Sequence, residues 1–195
     1  MRSLRPWLFS AFFWIVPFFV TAVVWDSIPQ PATQLGLVLA SLIIGLSAAL
    51  RQMHYPLIGT PFFILLLANY WLSALDINNP LVVAVTFFVF ISIPAAGLWA
   101  RRLDRLAVDR DSIIHWLVLG FLIAQINSLL IFWPFSFFEN SLISFIVFYA
   151  FWQLIQLFGF SSRRSLIAHF VFTLLAVIVV IGAVLWVNYP QLRTF

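Results

Sequence analysis

The sequence predicts an all-α fold, a polytopic bundle of about seven transmembrane helices with the N-terminus in the cytoplasm and the C-terminus outside. Its 195 residues are 64% hydrophobic and only 8% charged, whereas a soluble domain carries about 25% charged residues. A small soluble protein cannot keep so much apolar surface away from water. Two further observations agree: seven apolar runs are long enough to cross a bilayer, and Arg residues recur on one side of the alternating runs.

The seven apolar runs each approach the roughly 20 residues that a membrane-spanning helix needs. None of them contains Asp, Glu, Lys or Arg. Insertion is favourable because each large aliphatic side chain contributes about −0.3 to −0.6 kcal/mol, whereas one charge costs about 2.5 to 3.5 kcal/mol. The second run is the shortest, which leaves six spans as the alternative count. Together they predict a single transmembrane domain over residues 1–195, with spans at about 7–25, 34–50, 56–75, 80–100, 113–133, 141–160 and 165–187.

Residues that favour helix starts stand near several of these runs. Pro56 and Pro80 open the third and fourth spans, where the missing N–H costs no hydrogen bond. Asp111 or Ser112 is expected to cap the fifth helix, and Asn140 or Ser141 the sixth, because their side chains can accept hydrogen bonds from the first free backbone N–H groups.

The Arg residues predict the orientation. Cytoplasmic segments of membrane proteins carry an excess of basic residues. With the N-terminus inside, nine of the ten Arg residues lie in cytoplasmic segments, and most Trp residues lie near span ends, as expected of interfacial aromatic belts. The chain has no Asn-x-Ser/Thr sequon. The predicted location is a bacterial cytoplasmic (inner) membrane. The nine are Arg2, Arg5, Arg51, Arg101, Arg102, Arg105, Arg110, Arg163 and Arg164.

Composition also disfavours several kinds of chemistry. The chain has no Cys, which excludes disulfides, thiolate metal sites and Cys nucleophiles. Ion-coupled carriers, pumps and voltage sensors usually hold a charge inside a span, and no predicted span has one. The Arg residues sit in short gaps between apolar runs, so they do not predict nucleic-acid binding. No metal ligand set and no cofactor site is predicted, and the chain is not expected to be an enzyme.

The candidate ligand-lining residues are polar side chains in the inner halves of the last spans. Tyr149, Gln153 and Gln156 recur at i, i+4 and i+7 and so share one face of the sixth helix. His115 and His169 are predicted at a depth similar to that of Gln156. These five residues could line a polar pocket. The alternative is that the stripe forms interhelical hydrogen bonds, which hold membrane helices together.

Amides and hydroxyls in two other spans are expected to pack between helices. Gln125 and Ser128 share one face of the fifth helix, and Asn127 points nearly the opposite way. Both faces are therefore expected to contact protein, which would place this helix centrally. Asn69 and Tyr70 are expected to make similar contacts near the outer end of the third helix.

Small residues repeat at i, i+4 and i+8 on two helices, which lets neighbouring backbones approach closely. Such faces either pack the bundle internally or bind another membrane protein, which would be a partner in addition to the lipid bilayer. The two faces are Ser41, Gly45 and Ala49 in the second span, and Ser92, Ala96 and Ala100 in the fourth.

The leading functional hypothesis is a non-enzymatic subunit or scaffold of a membrane assembly. It depends on the charge-free spans, the lack of a catalytic constellation and the small-residue faces. The first alternative is a carrier for a neutral or lipid-soluble small molecule, with a site near the sixth helix and with helices kinked at Pro17 and Pro94. The second is a membrane enzyme that acts on lipid at the cytoplasmic face through His115 or His169.

Overall fold

The computed structural model describes residues 5–50, 52, 54–75, 79–103, 110–132 and 135–159. All regular structure in these ranges is helical, and six helices are long and apolar enough to cross a membrane. The all-helical class is therefore confirmed. The predicted seventh span, residues 165–187, lies outside the described residues. The helices are α1 (Arg5–Val24), α2 (Pro31–Ala49), α3 (His54–Ser73), α4 (Leu81–Leu103), α5 (Arg110–Leu129) and α6 (Phe137–Gly159), with short 3-10 turns at Trp25–Ser27 and Leu130–Phe132.

Each of these helices overlaps one predicted span, and no end differs from its prediction by more than four residues. The run predicted as the shortest span forms a helix of 19 residues that begins at Pro31. A Pro at the first helical position is favourable because its fixed φ suits a helix and its missing N–H has no partner there. Sequence length and apolarity thus locate all six helices.

The predicted caps of α5 and α6 are wrong. Helix α5 begins at Arg110, so Asp111 and Ser112 lie inside its first turn. Helix α6 begins at Phe137, and its cap is the preceding residue, Ser136. The backbone N–H of Ser136 donates to Glu139 Oε2 at 2.8 Å, and the N–H of Glu139 donates to Ser136 Oγ at 3.3 Å. This reciprocal pair is a capping box.

The predicted caps Asn140 and Ser141 instead lie inside α6, where both are buried. The Ser141 hydroxyl donates to the carbonyl of Phe137, one turn earlier in the same helix, at 2.6 Å. The same hydroxyl also lies 3.4 Å from the carbonyl oxygen of Leu65 in α3, so the residue contacts both its own helix and the central helix.

Helix α3 is the centre of the described bundle. It packs against α1, α2, α4 and α6, whereas α5 packs chiefly against α4 and α6. In α3, 61% of the span is buried, against 28–39% of each other described span. Among the six described helices, the central position that we expected for the fifth helix is therefore occupied by α3.

Two apolar clusters form the core, one on each side of α3. The first joins α3 to α4, α5 and α6 through fully buried side chains, among them Leu65, Val89, Ile123 and Phe148. The second joins α3 to α1 and α2 and includes Phe13, Val20, Phe63 and Leu66. Because lipid is as apolar as these side chains, close packing and interhelical hydrogen bonds hold such helices together.

Close packing is most demanding where α5 crosses α4. A Cβ atom built on Gly120 of α5 would lie 2.5 Å from Cγ of Pro94 and 2.9 Å from the backbone oxygen of Phe90. Backbone atoms and a proline ring cannot rotate away. Gly120 is therefore needed for this crossing.

Replacing Gly120 with Ala should lower the free energy of unfolding by about 1 to 3 kcal/mol, because the added methyl group overpacks the α4–α5 contact. The matched control is Gly36→Ala in α2, where a Cβ meets no atom within 4 Å. Both changes can be measured as denaturation midpoints in detergent. Equal midpoints for the two variants would show that the crossing is not close-packed.

Candidate functional site

The predicted polar stripe on α6 runs from the middle of that helix, at Tyr149, toward the end of the bundle where α3 begins and α6 ends. Tyr149 and Gln153 are half-buried there. The ring of Tyr149 lies 5.9 Å from that of Trp152, which is buried. Gln156 belongs to α6, but its side chain lies outside the described part of the chain. The structure thus places Tyr149 beside an apolar neighbour within its own helix.

The His residues do not come together as a pair in the described structure. His115 is exposed in the second turn of α5, and His169 lies outside the described residues. Another imidazole approaches the stripe: the ring of His54, the first residue of α3, lies 6.5 Å from the ring of Trp152. Sequence reasoning missed this proximity because it depends on α3 and α6 being neighbours. Within the described ranges, no cluster of three or more His, Asp or Glu side chains could hold a metal ion.

The small-residue face of α2 packs inside the bundle. Oγ of Ser41 lies 3.1 Å from Oγ1 of Thr21 in α1, and the indole of Trp14 packs against Gly45. Ala49, at the end of the helix, is exposed. The sequence left open whether this face packs inside the bundle or binds another membrane protein. Most of the face packs inside the bundle.

The small-residue face of α4 is also largely internal. Ala96 and Ala100 are 2% and 1% exposed, and Ser92 is half-buried. Ala96 belongs to the core cluster shared with α5 and α6, and Ala100 to the cluster shared with α1 and α2. A partner protein would have to use another surface than these buried residues.

A buried network of neutral polar groups joins α3, α5 and α6. Asn69 Nδ2 donates to Asn127 Oδ1 at 2.7 Å, and Ser144 Oγ donates to the same oxygen at 3.0 Å. Asn69 Nδ2 also donates to the carbonyl of Leu65 at 3.0 Å. All three polar residues are at most 3% exposed. The expectation that Asn69 and Asn127 make packing contacts is confirmed, and Ser144 is an addition that the sequence did not suggest.

The carboxamides and the hydroxyl of this network can form hydrogen bonds. They include no nucleophile activated by a base and no group that titrates near neutral pH. Nδ2 of Asn127 has no hydrogen-bond partner among the described residues, although the residue is 1% exposed. A buried donor without a partner costs about 1 to 3 kcal/mol. The network therefore stabilises one packing of three helices but leaves the two N–H groups of the Asn127 amide without a hydrogen bond to a described residue.

A second polar contact fixes α5 against α4. The hydroxyls of Thr86 and Ser128 lie 2.7 Å apart, and Ser128 also donates to the carbonyl of Ala124 at 2.8 Å. The prediction that Ser128 contacts protein is confirmed. Gln125, which was placed on the same face, is exposed instead.

Gln125 lies in a line of exposed residues along α5 and the 3-10 turn that follows it, and we call this line the outward face of α5. Its members follow one another at spacings of three or four residues, which places them on one side of a helix. All are apolar except Gln125, for which the structure shows no hydrogen bond to any described residue. The outward face consists of Ile114, Val118, Phe121, Gln125, Leu129 and Phe132.

An apolar cleft of about 360 Å³ lies between the end of α3 and the start of α4. The side chains that line it are apolar except for the indole N–H of Trp71, so it can accept hydrocarbon and offers a polar ligand at most this one side-chain donor. Trp71 stands at its edge and is 38% exposed. The cleft lies at the other end of the bundle from the half of α6 that carries Gln153. The lining residues are Trp71, Ala74, Leu75, Leu81, Ala84, Val85 and Phe88.

We expect the Asn69→Leu and Asn127→Leu substitutions to be non-additive, with a coupling of about 0.6 kcal/mol and at most about 1.7 kcal/mol in the free energy of unfolding. The reason is that either single change already breaks their shared hydrogen bond. A double-mutant cycle in detergent measures the coupling. The control cycle combines Asn69→Leu with Ser128→Ala, which share no hydrogen bond, and should be additive. Additivity in the Asn pair would contradict the network.

No family model, no curated protein and no solved structure matches this chain.

Proposed function

We propose that this protein is a non-enzymatic subunit of a membrane assembly and that the outward face of α5 is its contact surface. The observation that carries the proposal is the exposure of Gln125 within an otherwise apolar face. The proposal includes seven spans, a cytoplasmic N-terminus, an external C-terminus and a bacterial inner membrane.

The argument begins with the solvent around Gln125. An amide that leaves water without a compensating hydrogen bond loses roughly 2 to 7 kcal/mol, depending on the reference state. Hydrocarbon tails offer neither donors nor acceptors. Polar residues in membrane spans accordingly face other helices far more often than lipid. A neighbouring protein at the outward face would supply the missing partner.

The other described surfaces favour the same interpretation. The two small-residue faces are largely used inside the bundle, so they leave little surface for a partner. The exposed side chains of α2 and α4 near the middle of the membrane are apolar and suit lipid contact, for example Leu39, Ile43, Phe87 and Ile91. Helix α5 differs from both because its exposed line contains an amide.

Substituting Val118 with Trp should abolish most copurification of partner protein, because the indole adds bulk within the proposed contact surface. The matched control is Val83→Trp on α4. Both positions are exposed valines, at 50% and 66%, but only Val118 belongs to the outward face of α5. The measurement is affinity purification from native membranes in mild detergent, followed by mass determination. Equal copurification by the two variants, or an unmodified protein that purifies alone as a 22.4 kDa monomer, would contradict the proposal.

The second candidate function is the binding or transfer of a lipid-soluble molecule, which the apolar cleft between α3 and α4 favours. Its lining suits an alkyl chain and not a charged or sugar-like ligand. The cleft would replace the stripe of Tyr149 and Gln153 as the binding site, since neither residue lines the cleft.

Filling the cleft with Ala84→Trp should lower labelling by a photoactivatable fatty acid severalfold, because the indole occupies the space that an alkyl chain would enter. Ala95→Trp is the matched control: Ala95 is another exposed Ala of α4 that does not line the cleft. Mass spectrometry of the labelled peptide that contains Trp71 gives the readout. Unchanged labelling in Ala84→Trp would exclude the cleft as the site.

A further inference from the structure

Gln125 is exceptional among the described residues in its position. Among the polar side chains of the described structure, it alone is both exposed and located more than six residues from each end of its membrane span. The span that contains it runs over Arg110–Phe132. Gln125 is four residues from the midpoint of that span, about 6 Å along the axis at 1.5 Å per residue. Its amide therefore lies in the hydrocarbon region and not among headgroups.

The predicted seventh span does not supply a partner at this depth. It runs in the same predicted direction as the fifth, and Gln125 stands 12 residues after the predicted start of its span at 113. The equivalent level in the seventh span, which starts at 165, is near residue 177. Residues 174–182 read Leu-Leu-Ala-Val-Ile-Val-Val-Ile-Gly and have no polar side chain.

A second copy of the same chain does supply a partner. A carboxamide has an N–H donor and a C=O acceptor, so it can pair with an identical group across a two-fold axis. In such an arrangement each copy brings the same residue to the same depth. We infer that two copies of this protein associate through the outward faces of their α5 helices, with the two Gln125 side chains hydrogen-bonded to each other. The inference rests on the proposed function and names the partner.

The flanking residues suit such an interface. Phe121 and Leu129 lie about one turn on either side of Gln125 and are 54% and 62% exposed. Successive members of the outward face are four, three, four, four and three residues apart. Such spacings of three and four residues let two helices interlock along their length. Two-fold symmetric contacts are the commonest arrangement of protein oligomers.

The chain offers a clean test because it contains no Cys. Phe121→Cys introduces a single thiol next to Gln125 and leaves the amide in place. Ile91→Cys on α4, which is 57% exposed, is the control at a comparable depth. Two differently tagged copies are coexpressed, their native membranes are treated with an oxidant, and the dimer band is identified with both tags. We expect efficient cross-linking through Phe121→Cys and little through Ile91→Cys.

The amide itself is tested in the Phe121→Cys background. Gln125→Leu should lower the dimer association constant about 3- to 16-fold, which corresponds to about 0.6 to 1.7 kcal/mol for interhelical hydrogen bonding. Gln125→Asn keeps a carboxamide and should retain more of the dimer than Gln125→Leu. Equal losses in Gln125→Leu and Gln125→Asn would overturn the amide pairing.

The outcomes separate this inference from the proposed function. A cross-link to a protein without the second tag would overturn pairing between copies and still support an assembly subunit. No intermolecular cross-link, together with a monomer in mild detergent, would overturn both. An intramolecular disulfide in the double variant Phe121→Cys/Val179→Cys would overturn the inference by placing the predicted seventh span on this face.

Discussion

The rest of the bundle depends on one constraint: a polar side chain surrounded by hydrocarbon needs a hydrogen-bond partner from the protein. The hydrogen bond between Asn69 and Asn127 meets this constraint. Asn69 lies on the central helix, and Asn127 also accepts from Ser144. These contacts fix the rotation of α3, α5 and α6 about their own axes, which apolar packing alone leaves loosely determined. The Thr86–Ser128 pair does the same for α4 and α5.

Rotation of α5 in turn decides what faces outward. Ser128 follows Gln125 by three positions in the helix. At 3.6 residues per turn, the two side chains therefore point in directions about 60° apart. With Ser128 bonded to α4 and Asn127 bonded to α3, Gln125 is left on the exposed side. The same interior contacts that hold the bundle together therefore create the outward face that we propose as an interface.

Much of the fold follows from the sequence because bilayer thickness sets the length of each apolar run. The six described helices match predicted spans, including the short second one. The start of α6 was missed although the signal was present, since Ser136 and Glu139 stand at capping-box spacing. Pairings such as Asn69 with Asn127, and His54 beside Trp152, depend on which helices are neighbours, and the charge-free runs contain no signal for that.

The 58-residue separation of Asn69 and Asn127 has a consequence for biosynthesis. Ribosomes add about 5 to 20 residues per second, so roughly 3 to 12 seconds pass between synthesis of the two amides. During this interval Asn69 has a local acceptor in the carbonyl of Leu65, one turn earlier in its own helix. The nascent third helix can therefore enter the bilayer with one of the two amide N–H groups of Asn69 already hydrogen-bonded, before the fifth helix is made.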